Sequence, residues 1–362
     1  MSRARDLADL GGAADAGTVT GESLIINGDM AVSQRGTSST STGYQTVDRF
    51  RVDKNNVAQL VFTQSQSTTA PDDFSNSLKI EVTTAETTLD AADYLSFTQR
   101  IEAQNLQHLN YGTSAAKSAT LSFWARSSLT GKYSVNIYSE DGSRVNTLSF
   151  NISTADTWEY ISIQIDGDTA GTINNDNGQG LSLNFVLAAG STFSSTITSG
   201  WQAYTNDKYA HSDQVNFIAQ TGTFYITGVK LEVGSAATPF LHESYADNLR
   251  KCQRYYEELN ADNVNQYIAG GWQYNDSGFW NWLVKYTPKR ATPTLVGNWT
   301  DGNLFYVYAA GAGVAVTSFT TNGASTAQTV IHSSGTDRGN GGIGGGLYCN
   351  SASARMAFNA EL

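Results

Sequence analysis

The side chains of this chain best suited to chemistry are its aromatic rings and amides, not its acids, bases or thiols. Seven Trp, 18 Tyr and 15 Phe occur among 362 residues. Sugars stack on the apolar faces of such rings, whose polar edges tolerate water. Two groups stand in polar surroundings. Trp201, Tyr204 and Tyr209 lie in the loop-like segment Ser199–Asp213, and Trp272 and Tyr274 precede an Asn275-Asp-Ser-Gly turn. These five residues are the candidates for glycan contact. Packing over the ends of a β-sandwich or at a subunit seam is the competing reading.

Reactive residues are scattered. His108, His211, His242 and His332 are isolated and lack metal-ligand spacing. Acids are plentiful, but nothing in the sequence sets two of them at the separation a glycosidase needs. Gly341–Gly346 has neither the strand–loop–helix context nor the Lys-Ser/Thr of a phosphate loop. Asp72-Asp73 and Asn174–Asn177 read first as ordinary turns, though their oxygens could also ligate a calcium ion. A structural calcium therefore stays open, and no other cofactor is expected. Cys252 and Cys349 lie far apart and read as free thiols. The chain is read as non-enzymatic, with no catalytic residues and no metal ligands.

The elements that must position these rings are mostly strands. Hydrophobic residues make up 40% of the chain, enough for a sizeable core, while charged residues make up only 15%. Thr, Ser, Asn, Gln and Gly carry the polarity, which suits pleated strands and their turns. Thr120-Leu-Ser-Phe-Trp-Ala places Leu121, Phe123 and Ala125 on one face, and Tyr160-Ile-Ser-Ile-Gln-Ile places Ile161, Ile163 and Ile165 together. Many short runs of this kind between turn signals predict a jelly-roll β-sandwich over 23–238. Residues 239–262 are read as a connecting helix. Ser244 and Asp247 cap it, and a heptad-like stripe of Tyr245, Leu249, Cys252, Tyr256 and Leu259 runs along it. That stripe either packs within its own domain or lies on a threefold axis as an oligomerisation seam. Residues 263–362 are read as a second, small C-terminal β-sandwich domain.

The net charge of −11 and the lack of a basic run argue against nucleic acid as a partner. The longest apolar stretch, Leu304–Val316, is too short to span a bilayer, so no membrane insertion is expected. The N-terminus has no apolar core of a secretory signal. Residues 1–22 are small, polar and Gly-rich, and cannot form their own core. They carry Leu7 and Leu10 on a short amphipathic turn with Arg3 and Arg5 nearby, and read as an attachment arm.

Several ordered motifs resemble those of bacteriophage tail-fibre and virion-appendage proteins with a carbohydrate-binding-module-like jelly roll. These are Asn27-Gly-Asp-Met30, Gln34-Arg-Gly36, Asp48-Arg-Phe50, Ser122-Phe-Trp-Ala-Arg126, Gly228-Val-Lys-Leu-Glu-Val-Gly234, Ala237-Thr-Pro-Phe240 and Cys252-Gln-Arg-Tyr-Tyr256. Ala291-Thr-Pro293 and the closing Ala360-Glu-Leu362 resemble the small β domain that often follows. The resemblance implies a structural protein of the virion, assembled in the host cytoplasm. It implies a homotrimeric tail fibre or appendage that contacts host-surface glycans and joins other virion proteins, tail or head, through the arm at Arg3, Arg5, Leu7 and Leu10. A non-binding head fibre, decoration or adaptor is the alternative. A polysaccharide depolymerase ranks last, because the chain has no long β-helix repeat.

Overall fold

A computed structural model describes residues 21–259, 266–274, 278–298, 304–316, 318–334, 342–351 and 353–362. Residues 1–20 of the expected attachment arm, with Arg3, Arg5, Leu7 and Leu10, lie outside the described residues. The chain divides into two compact units, 1–248 with Leu362 and 249–361.

The first unit is the β-sandwich that the alternating runs predict. Its strands are β1 (Ser38–Ser39), β2 (Arg51–Asn55), β3 (Val61–Ser67), β4 (Ser77–Thr84), β5 (Tyr94–Glu102), β6 (Ala119–Ser127), β7 (Gly131–Ser139), β8 (Arg144–Ile152), β9 (Glu159–Ile165), β10 (Gln179–Ala189), β11 (Ser194–Ser195), β12 (Gln202–Ala203), β13 (Ala210–His211) and β14 (Gly222–Val233). One sheet has the order β1-β3-β4-β14-β6-β9 and the other β12-β8-β7-β10-β5-β2. Every pairing within them is antiparallel. The period-2 alternation sends Leu121 and Phe123 of the first sheet, and Val135, Leu183 and Phe185 of the second, into one core. Rings from the two sheets meet there: Phe123 is edge-on to Phe150 at 5.0 Å and to Phe185 at 5.2 Å. Burial of this apolar face drives the assembly, and truncating one such Phe to Ala should cost about 3–5 kcal/mol.

The Asn27–Phe50 and Gly228–Phe240 motifs brace this sandwich. Met30 N–H donates to the Asn27 carbonyl at 3.0 Å and closes the Asn27–Met30 turn, while the Asn27 amide donates to the carbonyls of Val32 and Asp48 and accepts from Val32 N–H. Asp48 accepts hydrogen bonds from the backbone and side chain of Gln34. Arg49, almost fully buried, donates to the Arg100 carbonyl at 2.6 Å. On β14, Lys230 and Glu232 form a buried ion pair at 3.0 Å. Lys230 also donates to Thr238 and Pro239, and Glu232 accepts from the Thr238 N–H and hydroxyl. The pair thus fastens the segment after β14 back onto its own sheet.

Helix α1 (Tyr245–Gln253) opens as expected: Ser244 Oγ accepts from Asp247 N–H and donates to the Asp247 carboxylate. It has nine residues and does not reach Leu259. The five-residue stripe is therefore not one helical seam. Tyr245 is exposed, whereas Asn248, Cys252 and Tyr255 are buried. Tyr256 belongs to strand β15 (Tyr256–Glu258), whose backbone pairs with β24 (Met356–Asn359), and this sheet pairing replaces further helical turns. Leu259 packs against the core of the second unit.

That second unit also contains β16 (Gln266–Gln273), β17 (Phe279–Lys285), β18 (Thr294–Gly297), β19 (Phe305–Ala309), β20 (Ala312–Ala315), β21 (Ser318–Asn322), β22 (Gln328–Ser334) and β23 (Gly344–Cys349). These form a seven-stranded sheet, β20-β19-β23-β16-β17-β22-β21, and a three-stranded one, β15-β24-β18. Trp280 and Trp282, stacked at 5.5 Å, fill the core with Phe305, Leu347, Met356 and Phe358. Cys252 and Cys349 are both buried.

Candidate functional site

Strands that bury one face leave the alternate residues for the other. On the second sheet of the sandwich, the outward set along β5 is Tyr94, Ser96, Thr98 and Arg100. Along β10 it includes Ser182 and Asn184, and along β7 it is Ser134, Asn136 and Tyr138. Cross-strand register lines these up in rows: Thr98, Asn184 and Asn136 in one, Arg100, Ser182 and Tyr138 in the next. A polar, tyrosine-bearing surface therefore follows from the same alternation that builds the core.

The long segment between β10 and β14 crosses part of this face and is stitched to it. Asn136 donates to the Tyr209 carbonyl at 2.7 Å, and His211 N–H donates to Ser134 Oγ at 2.9 Å. The Tyr209 hydroxyl donates to Ser96 Oγ at 2.9 Å. Short strand β12 pairs with the end of β8, and Tyr204 N–H donates to the Ser143 carbonyl at 2.8 Å. Between this segment and the sheet lies a cleft of about 260 Å³. Tyr94, Tyr138, Tyr204 and Tyr209 line it, with Asp53, Arg100, Glu140 and Gln179 among its polar groups.

The floor is preorganised. Asn184 donates to Asn136 Oδ1 at 2.8 Å and to Ser182 Oγ at 3.0 Å, while its own Oδ1 accepts from the Thr98 hydroxyl. Such a connected network holds its geometry better than separate pairs would. The walls are ring pairs: Tyr138 and Tyr204 have centroids 4.8 Å apart, and Tyr94 lies 5.7 Å from Tyr209 and 5.0 Å from Phe193. Burial, then the nearby Asp53 carboxylate, raises the Tyr94 phenol; burial, then Glu140, raises that of Tyr138. Burial, followed by the neighbouring phenols and Glu140, does the same for Tyr204. The phenols thus stay protonated at neutral pH and can donate hydrogen bonds as well as present ring faces. Gln179 donates to Glu140 at 3.0 Å, and Arg51 pairs with Asp53 at 2.8 Å.

Of the five expected glycan contacts, the structure brings Tyr204 and Tyr209 together in the cleft. Trp201 does not join them. Its indole N–H donates to the Asp166 carbonyl at 2.7 Å, its ring is edge-on to Tyr111 at 5.5 Å, and it packs against the sandwich core. Trp272 and Tyr274 belong to the second unit, where both are exposed. Tyr94, Tyr138 and the amide floor were not singled out from the sequence. Their signal was present as polar residues alternating with core residues in Tyr133-Ser-Val-Asn-Ile-Tyr138 and Leu181-Ser-Leu-Asn-Phe185. Among the described residues, no three His, Cys, Asp or Glu side chains gather as a metal site. No helix among them is long and apolar enough to cross a membrane.

No protein-family model matches this chain, and no curated protein matches it. Solved structures do superpose on part of it. A candidate sugar-binding protein from Bacteroides thetaiotaomicron shares 16% identity at a TM-score of 0.35, covering 59% of this chain and all of that one. The enzymatically active domain of tailspike protein 4 from bacteriophage CBA120 shares 12% at 0.33, covering 59% of this chain and 21% of the tailspike. The family 11 carbohydrate-binding module of a Clostridium thermocellum cellulosomal cellulase shares 13% at 0.29, covering 56% of this chain and 98% of the module. This chain thus spans about a fifth of the tailspike domain it matches.

Proposed function

We propose that the first unit is a non-catalytic glycan-binding module and that the whole chain is a homotrimeric appendage of a bacteriophage particle, a tail fibre that touches host-surface sugars. One observation carries the binding reading: four phenol rings surround a cleft whose floor is a fixed amide network. Rings supply the apolar platforms that sugar C–H faces need, and the phenols, with Arg100, Glu140 and Gln179 of the lining, supply directed partners for hydroxyls. A cleft of this size holds one or two sugar units and binds weakly. Three copies on one appendage would raise the avidity through effective concentration. The phage assignment is supported by the Asn27–Phe50 and Gly228–Phe240 motifs, and the trimer by the same resemblance.

Binding of host-surface polysaccharide to the full chain, followed by calorimetry, tests the module. Tyr138→Ala and Tyr204→Ala should each weaken binding about three- to tenfold, the value of one ring contact of about 0.5–1.5 kcal/mol. Unchanged binding by the double variant would remove the cleft from the proposal. Placement on the particle is tested by reconstruction of the virion. Removal of residues 2–22 should give a folded protein that no longer joins particles; normal incorporation would move attachment to the sandwich.

A further inference from the structure

The opposite sheet of the sandwich carries a second, unrelated cavity of about 470 Å³. Its floor is made by Ser122 and Trp124 of β6 and Tyr160 of β9, with Trp124 and Tyr160 directly paired across the strands. The Trp124 and Tyr160 rings lie 5.3 Å apart at 54°, and Tyr160 is half exposed. One wall is the turn Pro71–Phe74, closed by Phe74 N–H to the Pro71 carbonyl at 3.2 Å. The other is Pro239, Phe240 and His242. Phe74, Phe240 and His242 form a mutually tilted trio with centroids 5.0–5.2 Å apart, so the walls brace each other. Gly228 sits where a side chain would fill the space. A Cβ there would lie 2.7 Å from Phe74 Cζ and 3.3 Å from Trp124 Cδ1, and the residue has φ +62°. The β14 register also shifts between Thr227 and Lys230, opening the ladder beside this glycine.

The chemistry of the lining is one-sided. Beside the His242 imidazole, which is held in the ring trio, it offers aromatic faces and the Asp72 and Asp73 carboxylates, with no Lys or Arg. The closest cation on β14, Lys230, is buried and committed to Glu232, Thr238 and Pro239. We propose that this pocket is a second carbohydrate site, for a single pyranose that stacks on Trp124 and Tyr160 and turns hydroxyl or ammonium donors toward Asp72 and Asp73. Carboxylates accept strong hydrogen bonds from such donors and repel anionic sugars. The site therefore favours an amino sugar over a neutral one and a neutral one over a uronic acid. The inference goes beyond the tyrosine cleft and shares no residue with it. With both sites occupied, each subunit would hold a glycan on each face of its sandwich.

The full chain is titrated separately with methyl glucosaminide, methyl glucoside and methyl glucuronide, while the Trp124 indole N–H resonance is followed by NMR. Expected is a saturable shift of that signal with the glucosaminide, about tenfold weaker for the glucoside and weaker again for the glucuronide. Asp72→Asn with Asp73→Asn should abolish the preference for the amine while leaving the glucoside response. Tyr160→Ala, an exposed change that spares the core, should weaken all three. Tyr138→Ala with Tyr204→Ala should leave the Trp124 response intact, which separates this site from the cleft. No shift with any of the three sugars up to their solubility overturns the proposal. So does a glucuronide response equal to that of the glucosaminide, or a response untouched by Tyr160→Ala.

Discussion

Two buried groups set the most direct tests of the sandwich at the residue scale. The Lys230–Glu232 pair is almost fully withdrawn from water, and each partner also holds the segment at Thr238. Removing one member leaves the other charge buried without compensation, at about 3–5 kcal/mol. Glu232→Ala and Lys230→Ala should each lower the urea midpoint accordingly, and the double change to apolar residues should cost less than either. Single losses below about 1 kcal/mol would show that the pair does not clamp the chain. Tyr133 reports on alkaline pH. Its phenol is buried between the sheets, donates to the Leu129 carbonyl at 2.8 Å and lies 2.8 Å from Ser127 Oγ; burial pushes it up to about 12. The folded-state value is raised, so its contribution is fully present below the unfolded value near 10. It is lost as pH climbs toward 12 and amounts to about 2–3 kcal/mol at most. Stability should fall across pH 10–12, and Tyr133→Phe should flatten part of that fall. An unchanged slope in the variant would mean that other phenols carry it.

At the scale of elements, two features depend on backbone approach and amide continuity rather than on hydrophobic area. Gly28 is pressed against β14: a Cβ there would lie 2.1 Å from the Val229 carbonyl oxygen, and Val229 N–H donates to the Gly28 carbonyl at 2.9 Å. Gly28→Ala must push the Asn27–Met30 turn off β14, and a loss of at least about 2 kcal/mol is expected. A thermal midpoint equal to wild type would contradict this packing. On β10, Asn184 joins three strands of the cleft floor. Asn184→Ala leaves Thr98, Asn136 and Ser182 short of a partner, at about 1–3 kcal/mol, and should weaken glycan binding even though the four tyrosines remain. Retained affinity would assign recognition to the rings alone.

For the whole molecule, the first unit owns a complete core shared between two six-stranded sheets. A chain cut to residues 21–248 should fold and unfold cooperatively; failure to do so would mean that the sandwich needs residues beyond 248. The second unit presents a different surface. The register of its seven-stranded sheet puts Tyr267, Trp272, Phe279, Leu283 and Tyr308 on the face opposite the Trp280–Trp282 core, and all five are exposed. A patch of this kind on a subunit suits self-association. Light scattering should give the mass of a trimer, and Phe279→Ser with Leu283→Ser should shift it toward monomer. A wild-type monomer at micromolar concentration would count against the homotrimer.

Much of the fold was legible in the sequence because alternation has a fixed meaning: in a strand, every second side chain must share a face. Leu121 with Phe123, and Ile161 with Ile165, define the inward faces whatever strand lies beside them. Ser244 and Asp247 marked where α1 begins, because a cap is a local hydrogen bond. Its end was not legible, because Tyr256–Glu258 is strand only through its pairing with Met356–Asn359, about a hundred residues away. The cleft was half legible. A polar segment rich in aromatics pointed to Tyr204 and Tyr209, but Tyr94, Tyr138 and Asn184 come from three strands separated by loops, and cross-strand register alone assembles them. The same holds for Trp201, whose polar neighbourhood in sequence hides a ring packed on Tyr111. Composition and periodicity determined that the chain is a β-sandwich with rings to spare. Tertiary structure decided which rings meet, because long-range pairing sets distances that no local pattern encodes.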